Sequence, residues 1–208
     1  MWRTSTVLAL NGLSTPPVKM SPDVLVRGTA VHAACEALAE GYRPADVPAY
    51  RPYTDGLQAW FTKFEPTVVA TERRIVNRLK RLTGRIDLFV IVNGEPFIVD
   101  VKTGTKACWH GLQTAGYHEL ASSDPETADF FGACGLADGT AYQRAILYLP
   151  GDGTSEWVVQ RDPQDRYRFL SALALLCWRH DHGMLALTDP EVPDDDVRVT
   201  QVLPEHAF

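Results

Sequence analysis

Asn93-Gly94, set between the apolar runs 88–92 and 97–99, constrains this chain more than any other feature. A two-residue hairpin of type I′ needs positive φ at both central residues, and Asn-Gly adopts it readily. With that loop, residues equidistant from the turn face one another, and Asp87 and Asp100 are equidistant. Counting outward also makes them a non-hydrogen-bonded pair, where Cα atoms approach to about 4.5 Å and side chains are closest. Strand alternation puts Lys102 on the same face.

Opposed carboxylates repel, and one pKa rises unless a cation lies between them. A hard divalent ion such as Mg²⁺ resolves the repulsion, because it takes carboxylate oxygens. Lys102 beside such an ion would position or help deprotonate a water, or stabilise charge on a phosphate. The alternative is a surface hairpin in which Arg85 and Lys102 pair the acids. The near-continuous apolar runs favour strands buried on both faces. The hairpin alone leaves both readings open.

The rest of the chain reads as an α/β (α+β) protein. Ser21-Pro22-Asp23 is a helix start, followed by Val24, Gly28, Val31, Cys35 and Leu38 on one face and a stop at Gly41. Residues 42–54, with Pro44, Pro48 and Pro52, read as a loop. Leu57, Trp60, Phe61 and Phe64 mark a short helix ending before Pro66. Strands are expected at 68–75, 82–92, 97–101, 144–149 and 156–160. A helix begins near Trp109 and runs to 120, and another spans about 165–182. Residues 121–140 read as a long loop or irregular insertion.

A length of 208 residues suits a single domain, here with an extended tail over about 183–208. No apolar stretch is long enough to cross a bilayer, and Met1-Trp2-Arg3-Thr4 does not begin a signal peptide. The expectation is a cytoplasmic protein without a membrane partner. Cys35, Cys108, Cys134 and Cys177 form no Cys-x-x-Cys pair, so they are expected to be small buried side chains rather than zinc ligands. The net charge of −6 argues against a broad basic surface but permits a local groove. Arg73, Arg74, Arg78, Lys80, Arg81 and Arg85 crowd one segment.

Four ordered motifs now carry a resemblance. Arg27-Gly28-Thr29-Ala30-Val31-His32, Gly84-Arg85-Ile86-Asp87, Ile98-Val99-Asp100-Val101-Lys102-Thr103-Gly104 and Gln113-Thr114-Ala115-Gly116-Tyr117 resemble the PD-(D/E)XK nuclease superfamily. The nearest branch is the RecB/Cas4-type exonucleases, and the remainder is similar to small bacteriophage exonucleases. The resemblance implies a restriction-endonuclease-like core, a mixed central β-sheet flanked by helices. It also implies an Mg²⁺- or Mn²⁺-dependent DNA nuclease, expected to be an exonuclease, in phage-type recombination, repair or DNA breakdown. The setting would be a bacterial host cytoplasm.

By the resemblance, His32, Asp87, Asp100 and the backbone carbonyl of Val101 are metal ligands, and Lys102 is the catalytic lysine. Gln113 and Tyr117 orient near the site or contact the scissile strand, and Glu72 is a further acid on the preceding strand. Each has an alternative: a satisfied helix histidine for His32, a surface pair for Gln113 and Tyr117, and an ion pair with Arg74 or Arg85 for Glu72. Cas4 proteins proper bind an iron–sulfur cluster through flanking cysteines. None precedes Cys35 or follows Cys177, so no cluster is expected. Arg74, Arg78, Lys80 and Arg81 are candidates for guiding DNA phosphates. A homo-oligomer or a single-strand-annealing recombinase is left open as partner. The rival function is a catalytically inactive nucleic-acid-binding or assembly subunit on the same fold.

Overall fold

The computed structural model describes residues 1–14, 22–135 and 141–185. The elements run β1 (Trp2–Arg3), α1 (Thr4–Leu10), α2 (Pro22–Ala39), a 3-10 turn (Pro48–Tyr50), α3 (Arg51–Phe64), β2 (Thr67–Asn77), β3 (Leu82–Val92) and β4 (Glu95–Lys102). They continue with α4 (Trp109–Ala121), α5 (Pro125–Ala133), β5 (Gln143–Tyr148), β6 (Glu156–Val159) and α6 (Gln164–Asp181).

The hairpin forms in the expected register. Asn93 and Gly94 have φ of 52° and 80°, and pairing runs from Val92↔Glu95 to Leu88↔Val99. β2 runs antiparallel along the whole of β3, with a register shift between Val68 and Ala70. The other edge of β3 is shared. β4 covers it from Leu88 onward, and β1 pairs in parallel at Leu82 and Thr83. Residues 84–87 lie in the gap between them. β4 continues the sheet through parallel β5, and β5 through antiparallel β6. This mixed six-stranded sheet flanked by helices is a restriction-endonuclease-like fold.

Two cores sandwich the sheet. On one face α1, α4 and α6 bury Trp2, Leu8, Leu120 and Phe169 against Ile86, Phe89 and Ile98. On the other, α2 and α3 bury Val31, Leu57 and Trp60 against Leu88, Val90, Val99 and Val101. Fully buried side chains of this size each contribute about 1.5–3 kcal/mol by leaving water. α4 can lie this close to its neighbours because Gly116 has no side chain: a Cβ there would sit 2.5 Å from Thr4 Cγ2 and 2.6 Å from Phe169 Cζ.

Several elements differ from the sequence reading. β1 and α1 were not anticipated, being too short to show a hydrophobic period. α3 starts at Arg51, inside the expected proline-rich loop, with proline in its first turn. The insertion at 121–140 contains α5, whose N-cap Asp124 accepts the Thr127 N–H. Two cysteines are exposed rather than buried: Cys108 caps α4 and Cys134 caps α5, where helix ends face solvent. The expected cap at Ser21 and the tail beyond 185 lie outside the described residues. No helix among the described residues is long and apolar enough to cross a membrane.

Candidate active site

Three strands lose their regularity together at the mouth of the gap in β3. On β2, pairing runs through Thr71↔Leu88 and Arg73↔Ile86, and Glu72 between them has a φ of 46°. A left-handed glutamate within a strand is strained, and such residues persist only where surrounding structure imposes them. On β3, Ile86 and Leu88 are two residues apart yet lie in opposite cores, so alternation breaks at Asp87. On β4, pairing to β3 ends at Val99, and the Val101 N–H donates instead to Asp87 Oδ2 at 2.7 Å.

This break gathers the candidate residues. His32, in the middle of α2, places Nδ1 2.7 Å from Glu72 Oε1 and 3.6 Å from Asp87 Oδ1. One ligand atom from each of these three residues lies within 4.8 Å of the other two. Asp100 is 1% exposed, and the Lys102 ammonium lies against both its oxygens, at 3.0 Å (Oδ1) and 2.9 Å (Oδ2). Only the Oδ1 contact has hydrogen-bond geometry, which leaves Oδ2 without such a partner. The second oxygen of Glu72 lies 3.7 Å from Arg85. Glu72 stands in the tight cluster, and Asp100 is held in an ion pair.

From α4, Gln113 donates through Nε2 to the Tyr117 hydroxyl at 2.9 Å, and both side chains are buried. They are therefore not a surface pair. Gln113 Oε1 is buried with no partner among the described residues. Gly84 lets Tyr117 approach β3: a Cβ there would be 3.2 Å from the Tyr117 ring.

The electrostatics are those of a site that attracts cations. Burial alone would lower the His32 imidazole, but the hydrogen bond to Glu72 and the charges of Asp87, Glu72 and Asp100 bring it up to about 9. Burial and then the Asp100 charge push the Asp87 carboxyl up. Burial opposes the charge on Lys102, but Asp100 and Asp87 outweigh it and raise its pKa, so the group is an ammonium. Burial holds the Tyr117 phenol well above its ordinary value, so it stays protonated.

The donor set fits a divalent ion. It offers carboxylate oxygens and one imidazole nitrogen within reach of one another, around a site whose charges already hold a proton on His32. The imidazolium stands where a metal cation would compete.

Beside the cluster, Arg3, Thr4, Thr83, Arg74 and Arg85 line a cavity of about 390 Å³ that reaches Tyr117. Arg74 and Arg85 are direct cross-strand partners, an arrangement that like charges disfavour unless an anion joins them. Neither Arg3 nor Arg74 has an acidic partner among the described residues. Of the other expected phosphate guides, Lys80 pairs with Glu119 and Arg81 with Asp181, while Arg78 is exposed near the β2–β3 turn. Arg3 was missed because nothing in Trp2-Arg3-Thr4 marks β1.

A restriction-endonuclease-like sheet with acids and a lysine gathered where its strands part defines the class of protein. A sequence profile of the PD-(D/E)XK nuclease superfamily matches residues 47–177, more than half of the chain, and the chain belongs to that superfamily. His32 precedes the matched segment. No curated protein matches the chain. Among solved structures, it is similar to a phage-related exonuclease from Haemophilus somnus 129PT at 15% identity, covering 88% of this chain and 96% of that one, with a TM-score of 0.33. The alkaline exonuclease LHK-Exo from Laribacter hongkongensis is 14% identical, with 89% and 95% covered and a TM-score of 0.31. LHK-Exo in complex with dAMP gives 14%, 88%, 94% and 0.30. Likenesses this loose place no individual residue.

Proposed function

We propose that this nuclease is a Mg²⁺- or Mn²⁺-dependent deoxyribonuclease that degrades DNA from strand ends. The observation that carries the metal-dependent reading is the cluster of His32, Glu72 and Asp87 beside the Asp100–Lys102 pair. The exonuclease reading rests on the ordered motifs and their resemblance to the RecB/Cas4 branch. The setting that resemblance implies is phage-type DNA recombination, repair or breakdown in a bacterial cytoplasm.

His32, Asp87, Asp100 and the Val101 carbonyl, joined by Glu72, would hold the ion. When bound, it supplies polarisation of the phosphate and a lower pKa for the attacking water. The chain's own groups do the rest. Lys102, oriented by Asp100, places a permanent positive charge where a phosphoryl oxygen gains negative charge. Tyr117, fixed by Gln113, remains a neutral hydroxyl beside the scissile strand. Arg3, Arg74 and Arg85 bind phosphates of the incoming strand.

The test is degradation of linear duplex, circular duplex and single-stranded DNA with Mg²⁺, Mn²⁺ or EDTA. Loss of linear DNA alone, abolished by EDTA, is expected. Cutting of circles overturns the end-directed reading. DNA binding without cleavage in either metal leaves the non-catalytic binding subunit instead.

A further inference from the structure

A second cavity lies beside Lys102, away from the arginine-lined one. Its volume is about 440 Å³, and Arg27, Thr103, Lys106, Tyr148, Pro150 and Glu156 line it. It adjoins the active-site strand directly: Tyr148 is the β5 partner of Lys102, and Thr103 follows Lys102 in the chain.

Its cations are not equivalent. Lys106 pairs with Glu156 and lies over the Tyr148 ring, 5.6 Å from the centroid, so its charge is already balanced. Arg27 is half-buried on α2 and has no acidic partner among the described residues. Its guanidinium is held over the Tyr53 ring at 5.0 Å, and Nε lies 3.4 Å from Thr103 Oγ1. Tyr53 in turn packs on Gly151, whose φ of 88° and missing Cβ leave room for the ring. A half-buried cation fixed by an aromatic face and a hydroxyl, without a counter-ion, is a receptor for an anion.

The wall is also built. Tyr148 is buried, and its hydroxyl lies 2.8 Å from Nδ1 of buried His110 on α4, which fixes the ring orientation. Tyr148 and Pro150 give the cavity apolar lining. Aromatic walls bind bases without regard to sequence, and a guanidinium binds phosphate.

We propose that this cavity holds one nucleotide of the DNA strand next to the scissile phosphate, with Arg27 on its phosphate and the base against Tyr148 and Pro150. The inference rests on the nuclease reading and adds a subsite to it.

The experiment compares wild type with Arg27→Ala and Arg27→Lys, using the full chain. dAMP, deoxyadenosine and inorganic phosphate are titrated calorimetrically in EDTA, and KM and kcat are measured on a short linear DNA with Mg²⁺. Expected are dAMP binding tighter than either fragment, a loss of about tenfold or more in Arg27→Ala, and partial retention in Arg27→Lys. KM should rise by a similar factor with kcat within about twofold, and the salt slope of DNA binding should fall by about one. Unchanged dAMP affinity overturns the proposal. Weakened dAMP binding with unchanged KM also overturns it, because the cavity would then take free nucleotide and not the strand. If wild type cleaves nothing, the dAMP titrations still decide the cavity, and only the nuclease reading falls.

Discussion

The two halves of β3 behave differently. From Leu88 to Ile91 it pairs on both edges, and successive residues alternate between the two cores. At Asp87 alternation breaks, β4 leaves, and Glu72 on β2 takes a left-handed backbone. The regular half buries Leu88, Phe89 and Val90 almost completely. The irregular half buries charge: Asp87 and Asp100 with Lys102 and His32 against them. The difference marks where the proposed chemistry would sit. Packing and pairing in the regular half stabilise a junction that opposed carboxylates and a strained glutamate would not form alone.

The largest effect that separates the halves is on turnover. Lys102→Ala should lower kcat by at least about a hundredfold, since it removes the charge proposed to face the phosphate. Circular dichroism should find it folded at 25 °C. A variant cleaving at the wild-type rate would remove Lys102 from the reaction.

Phe89→Ala makes the opposite cut. Deleting a side chain 1% exposed in the regular half should cost about 3–5 kcal/mol in urea unfolding. Whatever protein remains folded should keep near-wild-type kcat. A large fall in kcat at unchanged stability would mean the halves do not divide the work in this way.

A smaller effect is expected from pH. His32 in the folded chain holds its proton up to about 9, above its ordinary 6.5. Its stabilising contribution is therefore complete below about pH 6.5 and is lost as pH rises through 9. The raised Asp87 carboxyl adds a loss of the same sign, since the folded chain binds that proton more tightly than the unfolded one. Metal-free protein should melt at a lower temperature at pH 9.5 than at pH 6.5, and Mg²⁺ should protect more at the higher pH, where it no longer competes with the His32 proton. A melting temperature that rises with pH in EDTA would contradict the cluster as described.

The smallest effect belongs to the turn. Asn93→Ala places alanine at a φ of 52° and should cost about 1–2 kcal/mol, leaving kcat unchanged. Loss of activity there would show that the junction senses the turn directly.

Much of the regular half was legible in the sequence, because Asn93-Gly94 sets the register locally and apolar runs mark the strands. The count from the turn singled out Asp87, Asp100 and Lys102, but the direct Asp87–Asp100 pair it predicts does not form: the ladder ends at Leu88↔Val99, and the Val101 N–H turns to Asp87 instead. The helix carrying His32 followed from its apolar face. The irregular half was not legible in the same way. The left-handed Glu72 is imposed by tertiary contacts and leaves no residue signal, as a glycine would. The basic segment looked uniform, but Lys80 and Arg81 are taken up by Glu119 and Asp181, far along the chain. Arg3, which joins Arg74 and Arg85, sits on a two-residue strand with no period to read. The signal for α5 was present in Asp124-Pro125, a cap followed by proline in the first turn, but the surrounding polar and glycine-rich residues outweighed it.

The central claim is that the junction of β2, β3 and β4 holds the ion on which cleavage depends. Calorimetric titration of Mn²⁺ into wild type and Asp87→Asn, each followed by cleavage of end-labelled linear DNA, tests it most directly. Wild type should bind one or two ions and cut, and Asp87→Asn should bind at least about tenfold more weakly and not cut. Equal Mn²⁺ binding by the two proteins, or cleavage that persists in Asp87→Asn, would contradict it.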